Sequence, residues 1–140
     1  MILVDSNILI YAFNISSPKH KKARKFLEIN FNELVLAHQN ILETFRVLTH
    51  PKFPKKINSK ELLNAIDNIT KAIEIIYPGS QTYYLTLELI KKYSLKLDLV
   101  SDAYLAATAL SNNVNIIATD NVGDFKKFNE LEILNPFSES

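Results

Sequence analysis

Residues 1–13 read MILVDSNILIYAF, and one acidic residue interrupts this apolar segment. The run ILV at 2–4 is typical of a short buried strand, which places Asp5 at its carboxyl end. Ser6 and Asn7 are favourable capping residues for a helix that continues through ILIYAF. A carboxylate is rarely buried in such surroundings unless it is paired or binds something. Because Ser6 or Asn7 would already cap the helix, we expect Asp5 to have a different role.

The alternation of strand and helix continues along the chain. The predicted strands are residues 2–4, 33–37, 73–77, 114–119 and 131–134, and the predicted helices are residues 8–13, 16–30, 40–50, 58–70, 80–95 and 101–113. This order predicts a three-layer α/β/α fold with a mostly parallel central sheet of about five strands. The chain has 140 residues and shows no repeat or linker, so we expect a single domain over residues 1–140.

Composition restricts the class of function. The chain is 47% hydrophobic and 22% charged, as in an ordinary globular protein, and its net charge of +1 requires no polyanionic partner. It contains no apolar run near the ~20 residues of a membrane span, and its first residues do not resemble a signal peptide. The absence of cysteine excludes thiolate metal sites and favours a cytoplasmic setting. Gly79 and Gly123 are too far apart for a glycine-rich phosphate-binding loop.

Acidic residues follow the predicted strands or lie on the helices between them. In open parallel sheets, ligands bind beyond the carboxyl ends of the strands, where Asp5 is expected. Asp120 and Asp124 flank the turn after the fourth predicted strand. Asp102 lies at the start of a helix, and Glu43 lies on a helix with an apolar face. The sequence therefore predicts that separate segments bring acids to one edge of the sheet.

Asp102, Asp120 and Glu43 each also have a simple structural explanation. Asp102 follows Ser101, the expected cap of its helix, and a helix start favours an anion. Asp120 is a common turn residue, and Glu43 can pair with Arg46 three positions later. These explanations would have to hold independently, whereas one binding site accounts for all of the acids.

Converging carboxylates favour a bound cation. Several carboxylates within a few ångström raise one another's pKa, and a divalent cation reverses that balance. Oxygen ligands favour Mg²⁺ or Mn²⁺ over zinc. A hard cation held by two or three carboxylates suits phosphodiester hydrolysis, because it activates water and neutralises charge on the phosphoryl oxygens.

Four segments, in this order, resemble the PIN domain and in particular the VapC-type toxins. They are VDSN at 4–7, LETFRVLTHP at 42–51, VSDAYLAATAL at 100–110 and TDNVGDF at 119–125, and the likeness extends to the closing LEILNP. The resemblance implies a Mg²⁺- or Mn²⁺-dependent endoribonuclease, the toxin of a VapBC-type toxin–antitoxin pair. It also implies an RNA substrate, a homodimer, and a cognate antitoxin that inserts a segment into the acidic groove.

The resemblance also implies the roles of individual residues. The catalytic and metal-binding residues would be Asp5, Asp102, Glu43 and Asp124, with Glu43 ligating directly or through water. Ser6 and Asn7 would orient Asp5, and Thr119, Asp120 and Asn121 would support the site. Many relatives have T-x-D-x-D-F where this chain has the longer TDNVGDF, which leaves either Asp120 or Asp124 as the fourth acid. Asp124 is favoured because it directly precedes Phe125.

Basic and aromatic residues have a structural and a functional interpretation. Basic segments at 19–25 and 51–56, and the pairs Lys91–Lys92 and Lys126–Lys127, are either solvated surface or a path for a phosphate backbone. Arg46 is the best single candidate for a phosphate contact, although it could also pair with an acid or an antitoxin. Certain aromatic residues at helical spacing predict core or dimer contacts: Phe13, Phe26, Tyr83, Tyr84 and Tyr104.

Two other kinds of protein collect acids at strand ends. A receiver domain has paired acids after the first strand and an aspartate after a central one, whereas the first loop here has one acid and IEIIYPGS has no aspartate. A haloacid-dehalogenase-like phosphatase has a second aspartate where this chain has Asn7. The alternative that stays open is a catalytically silent PIN-like module that binds RNA or protein, and metal binding would distinguish it from a nuclease.

Overall fold

The structure, a computed structural model, describes residues 1–54 and 57–138. Its strands are β1 (Ile2–Val4), β2 (Leu34–Ala37), β3 (Glu74–Ile76), β4 (Ile116–Ala118) and β5 (Glu132–Leu134). Its helices are α1 (Ser6–Phe13), α2 (His20–Asn30), α3 (His38–Leu48), α4 (Ser59–Ala72), α5 (Ser80–Tyr93), α6 (Leu99–Ser111) and α7 (Val122–Phe125), with a short 3-10 helix at Phe31–Glu33. In these ranges no helix is both long and apolar enough to span a membrane.

The strands form one parallel sheet in the order β3-β2-β1-β4-β5. The central strand β1 pairs on one side with β2 and on the other with β4, so that Ile2 is opposite both Leu34 and Ile116. Along the chain, β2 and β3 are added on one side of β1, and β4 and β5 are then added on the other side. The loops after β1 and β4 therefore meet at the topological switch point, where open sheets bind ligands. The predicted five-stranded parallel α/β fold is confirmed.

Both faces of the sheet are buried, as predicted for a three-layer fold. Leu3 lies in the hydrophobic cluster on one face, while its neighbours Ile2 and Val4 lie in the cluster on the other, because successive side chains of a strand alternate. The alanines of α6 are fully buried in the cluster that contains Leu3. Their small side chains let α6 lie close to the sheet, which fixes the position of Asp102 in its first turn.

Three helices, α1, α3 and α6, begin two residues earlier than predicted, whereas α2 begins only at His20, four residues later than predicted. The helix α6 starts at Leu99, so Ser101 is inside the helix and its prediction as the cap is wrong. Backbone bonds of the preceding turn, from Leu99 N to Lys96 O and from Ser101 N to Asp98 O, start the helical path before any capping side chain. The helix α3 starts directly after β2, where the Asn40 side chain accepts a bond from the Ala37 backbone amide.

Some predictions about individual residues also change. Tyr83 and Tyr84 are 61% and 62% exposed, so the core alternative is wrong for this pair. Phe26 packs partly buried against the cluster of α1 and α2, as predicted. Asn113, which follows α6, has a left-handed backbone conformation with φ of 61°. In the basic segment 51–56, Lys55 and Lys56 lie outside the described residues.

Candidate active site

Asp5 joins β1 to α1 and is only 7% exposed. Its backbone is extended, with φ −71° and ψ 152°, and its Oδ1 accepts bonds from the Ser6 amide at 2.8 Å and the Ser6 hydroxyl at 3.4 Å. Asp5 is therefore itself the N-cap of α1, and the expectation that Ser6 or Asn7 would cap this helix is wrong. Capping accounts for one carboxylate oxygen and for the local backbone, but it does not involve the second oxygen.

The second oxygen of Asp5 belongs to a buried polar network. Oδ2 accepts bonds from the Thr119 hydroxyl at 2.8 Å and from Asn7 Nδ2 at 3.3 Å. The Thr119 oxygen in turn accepts from Asn7 Nδ2 at 3.2 Å and from the Asn121 amide at 3.0 Å. A hydroxyl has one donor and two acceptor positions, and Thr119 uses all three. The network fixes the orientation of the Asp5 carboxylate.

The charge on Asp5 is not balanced by these contacts. Burial raises its pKa, the hydrogen bonds from Thr119 and Ser6 oppose that rise, and the negative charge of Asp124 adds to it. The resulting pKa lies above the ordinary value of 3.8. Neutral donors orient this carboxylate, but they do not replace the positive charge that an ion pair or a cation would supply.

The pKa of Asp102 is raised as well. Burial raises its pKa from the ordinary 3.8 to about 6, and the charges of Asp124, Asp5 and Asp98 contribute, while Lys127 acts in the opposite direction. Asp102 thus shares an electrostatic environment with Asp5 and Asp124, although the three lie on α6, on the β1–α1 junction and on α7. The structure brings these three predicted acids together at the carboxyl edge of the sheet.

Glu43 lies in the same cleft as Asp102. The cleft has a volume of about 420 Å³. Its walls are mainly polar and come from α1, α3, α6 and the loop after β4: Ser6, Gln39, Asn40, Glu43, Arg46, Asp98, Ser101, Asp102 and Asn121. Glu43 Oε1 is 2.9 Å from Arg46 Nη2, and both side chains are substantially exposed. The pairing predicted as the alternative role of Arg46 is therefore present within the cleft.

Asp120 has positively charged and hydroxyl partners of its own. Lys19 forms an ion pair with it, and the Tyr11 hydroxyl donates to the same Oδ2 at 2.8 Å. Partial burial acts to raise the pKa of Asp120, but the hydrogen bonds from Lys19 and Tyr11 outweigh it, and the pKa lies below its ordinary value. The charge of Asp120 is thus neutralised by a lysine, whereas the charge of Asp124 acts to raise the pKa of Asp5 and Asp102.

The acidic residues of the site differ from a preformed metal centre in their arrangement but match one in their chemistry. Within the two described ranges, no three carboxylate, thiolate or imidazole groups form a ready-made metal-binding group. The chemistry of the site nevertheless suits a hard divalent cation, because the negative charge of Asp124 contributes to the raised pKa of Asp5 and of Asp102 and the available donors are oxygens. These residues fit Mg²⁺ or Mn²⁺ in charge and donor type.

Sequence reasoning did not identify several residues of this region. Gln39 and Asp98 line the cleft, and Asp98 becomes visible as a site residue only once the true start of α6 is known. The contact of Lys19 with Asp120 joins positions 101 residues apart, which no local pattern indicates. Lys127 belongs to a basic pair that the sequence did show, but its effect on Asp102 depends on the fold.

The fold and the site define an α/β domain with an acidic centre at its switch point. The family model for the PIN domain matches residues 2–131, and the chain belongs to the PIN domain family. The chain is 28% identical to Ribonuclease VapC43 of Mycobacterium tuberculosis over 142 aligned residues, covering 97% of this chain and 95% of that protein.

Solved structures show the same fold. A toxin-antitoxin complex from Klebsiella pneumoniae has a chain with a TM-score of 0.72 and 20% identity, covering 99% of this chain and 100% of its own. The toxin VapC20 of Mycobacterium tuberculosis has a TM-score of 0.71 and 14% identity, covering 94% and 99%. At these identities the structural likeness establishes the fold alone.

Proposed function

We propose that this chain is a divalent-metal-dependent endoribonuclease and the toxin of a VapBC-type toxin–antitoxin pair. The observation that carries the proposal is the group of Asp5, Asp102 and Asp124 at the switch point, where the charge of Asp124 contributes to the raised pKa of both Asp5 and Asp102. The similar proteins support the same reaction: VapC43 is named a ribonuclease, and VapC20 is described as a toxin that cleaves the sarcin-ricin loop.

The proposed ligands of Mg²⁺ or Mn²⁺ are Asp5 and Asp102, with Asp124 as the fourth acid and Glu43 ligating directly or through water. When bound, the cation supplies a Lewis acid that stabilises negative charge on the phosphoryl oxygens and activates water. Ser6, Thr119 and Asn7 hold the Asp5 carboxylate in one orientation through the bonds described above. A fixed orientation lowers the cost of assembling the site when the cation arrives.

Arg46 is proposed to contact a phosphate of the RNA. Its guanidinium is exposed at the edge of the cleft and is held by Glu43 on the same helix. A planar guanidinium can bind a phosphate with two hydrogen bonds, which gives orientation as well as charge. If Glu43 held the cation, its pair with Arg46 would be released and the guanidinium would be free to bind the substrate.

Two protein partners follow from the same proposal. The acidic cleft suits a basic segment of a cognate antitoxin, which would occupy the place of the cation and the RNA; the Klebsiella structure is itself described as a toxin-antitoxin complex. A homodimer contact is proposed on α5, where Tyr83 and Tyr84 are exposed and pack edge to face, with ring centroids 5.2 Å apart. Adjacent exposed aromatic rings are favourable anchors for a protein interface.

Metal removal tests the proposed reaction. A mixed RNA pool incubated with the purified protein should be cleaved in Mn²⁺ or Mg²⁺, remain intact in EDTA, and be cleaved again when excess Mn²⁺ is restored. Gel analysis of the RNA gives the result, and calorimetry with Mn²⁺ measures binding directly. Cleavage that persists in EDTA would contradict metal dependence. An inert protein that binds no Mn²⁺ would support the catalytically silent binding module instead.

The fourth acid can be identified with two substitutions. We expect Asp124→Asn to lower kcat by about a hundredfold or more, because it removes a carboxylate that faces the other acids. Asp120→Asn should lower kcat by about tenfold, because it weakens an ion pair outside the ligand set. Steady-state cleavage of one defined RNA at saturating Mn²⁺ compares the two variants. The reverse order of effects would identify Asp120 as the fourth acid.

A further inference from the structure

Asp120 lies in a cluster that the proposed reaction does not use directly. This Lys19–Asp120 cluster consists of Tyr11, Lys19, Asp120 and Phe137, from α1, the α1–α2 loop, the β4–α7 loop and the C-terminal segment. The Lys19 ammonium pairs with Asp120 and lies 5.3 Å from the centre of the Tyr11 ring and 5.4 Å from that of Phe137. The two rings meet edge to face at 5.3 Å.

This arrangement differs from an ordinary surface ion pair, which contributes little to stability. The Asp120 side chain is 15% exposed, and one of its oxygens accepts both the Lys19 ammonium and the Tyr11 hydroxyl. Charge-assisted bonds are stronger than neutral ones, and the two rings add a favourable surface for the ammonium. The cluster therefore holds the Asp120 backbone at a defined position beside the acidic site.

Asn7 connects that backbone to the Asp5 carboxylate. The Asp120 amide donates to Asn7 Oδ1 at 3.3 Å, while Asn7 Nδ2 donates to Asp5 Oδ2 at 3.3 Å and to Thr119 Oγ1 at 3.2 Å. The carboxamide of Asn7 is planar and rigid. If the Asp120 amide that donates to its oxygen shifts, the side chain turns and its nitrogen moves as well. Lys19 is thus linked to Asp5 by a continuous series of polar contacts through Asp120 and Asn7.

We propose that Lys19 and Tyr11 are positioning residues for the nuclease site, which act through Asp120 and Asn7 to hold the Asp5 carboxylate in its metal-binding orientation. The proposal rests on the proposed function, because it concerns the same site. It also assigns Lys19 a role different from that of its basic segment, since its ammonium is engaged by Asp120 and is not directed to an RNA backbone.

Four variants test the proposal: Lys19→Met, Lys19→Arg, Tyr11→Phe and, as the matched control, Lys21→Met from the same basic segment. We expect Lys19→Met to weaken Mn²⁺ binding by about 10- to 100-fold and to lower kcat more than it changes KM, as for other residues that orient a ligand. Lys19→Arg should restore most of both values, Tyr11→Phe should show a smaller loss, and Lys21→Met should change neither Mn²⁺ affinity nor kcat.

The measurements are Mn²⁺ calorimetry, kcat and KM on one defined RNA, and a thermal midpoint for each variant. Wild-type Mn²⁺ affinity and kcat in Lys19→Met would overturn the proposal. The proposal would also be overturned if Lys19→Met lost Mn²⁺ affinity and kcat and Lys19→Arg did not restore them, because the loss would then not depend on the ion pair with Asp120. If Lys19→Met does not fold, the same comparison is made between Tyr11→Phe and wild type.

A readout without activity separates this proposal from the proposed function. The Asn7 side-chain amide gives an NMR signal that reports its bonds to Asp5 and Thr119. We expect this signal to shift in Lys19→Met and Tyr11→Phe but not in Lys21→Met. If wild type neither cleaves RNA nor binds Mn²⁺, the proposed function fails, and a shifted Asn7 signal still supports the positioning of Asp5. An unchanged Asn7 signal in both cluster variants overturns the inference whatever the activity.

Discussion

Asp5→Asn and Asp102→Asn should each reduce RNA cleavage by about a thousandfold or more, since the loss of several kcal/mol of transition-state stabilisation lowers a rate tenfold per 1.4 kcal/mol. Each substitution removes a charged ligand from the proposed metal site while changing the size of the side chain little. For Asp5, the asparagine can still accept the bond from the Ser6 amide that caps α1. The loss should therefore reflect the missing charge and not an unfolded helix start.

The control for this experiment is Asp98→Asn. Asp98 lines the same cleft and acts on the pKa of Asp102, but it is not among the proposed ligands. Cleavage of one RNA at saturating Mn²⁺ and Mn²⁺ calorimetry should show a large loss for the two ligand variants and a small change for Asp98→Asn. Equal losses in all three would indicate that the total charge of the cleft matters and that Asp5 and Asp102 have no special role.

The fold was predictable because its signals are local. The short apolar runs and the helical spacings between them determine a parallel α/β sheet, and the position of Asp5 after β1 follows from its place in ILVDSN. The prediction that Ser6 or Asn7 caps α1 was wrong because the two carboxylate oxygens of Asp5 make different contacts, and one of them caps the helix. One accepts the Ser6 amide, and the other accepts Thr119 and Asn7.

The remaining features depend on contacts between distant residues. No sequence pattern connects Lys19 with Asp120, so a residue assigned to a basic surface is in fact the partner of a candidate acid. The start of α6 at Leu99 depends on backbone bonds of the preceding turn, which capping preferences do not describe. The sequence indicates which acids reach the switch point, but their charge balance depends on which cations the fold brings to them.

Asp102→Asn is also expected to make the metal-free protein more stable at pH 7.5. The pKa of Asp102 in the folded protein, about 6, is above its ordinary value of 3.8, so the folded state binds this proton more tightly than the unfolded state. The stability associated with the bound proton is complete below about pH 4 and is lost as the pH rises through about 6. Because Asp102 is only half-buried, we discount the shift for solvent screening and expect a gain of about 1 kcal/mol in the free energy of unfolding.

Thermal unfolding with and without Mn²⁺ checks this expectation. Without metal, Asp102→Asn should unfold about 3–5 °C above wild type at pH 7.5 and at nearly the same temperature at pH 4. A cation at about 100 times its Kd stabilises the protein that binds it by about 2.7 kcal/mol, so Mn²⁺ should raise the wild type well above the variant. The variant is the more stable protein without Mn²⁺ and the less stable one with it only if the Asp102 carboxylate destabilises the metal-free fold and stabilises the metal-bound fold. A variant that is less stable than wild type without metal at pH 7.5, or equally affected at both pH values, would contradict the proposed metal site.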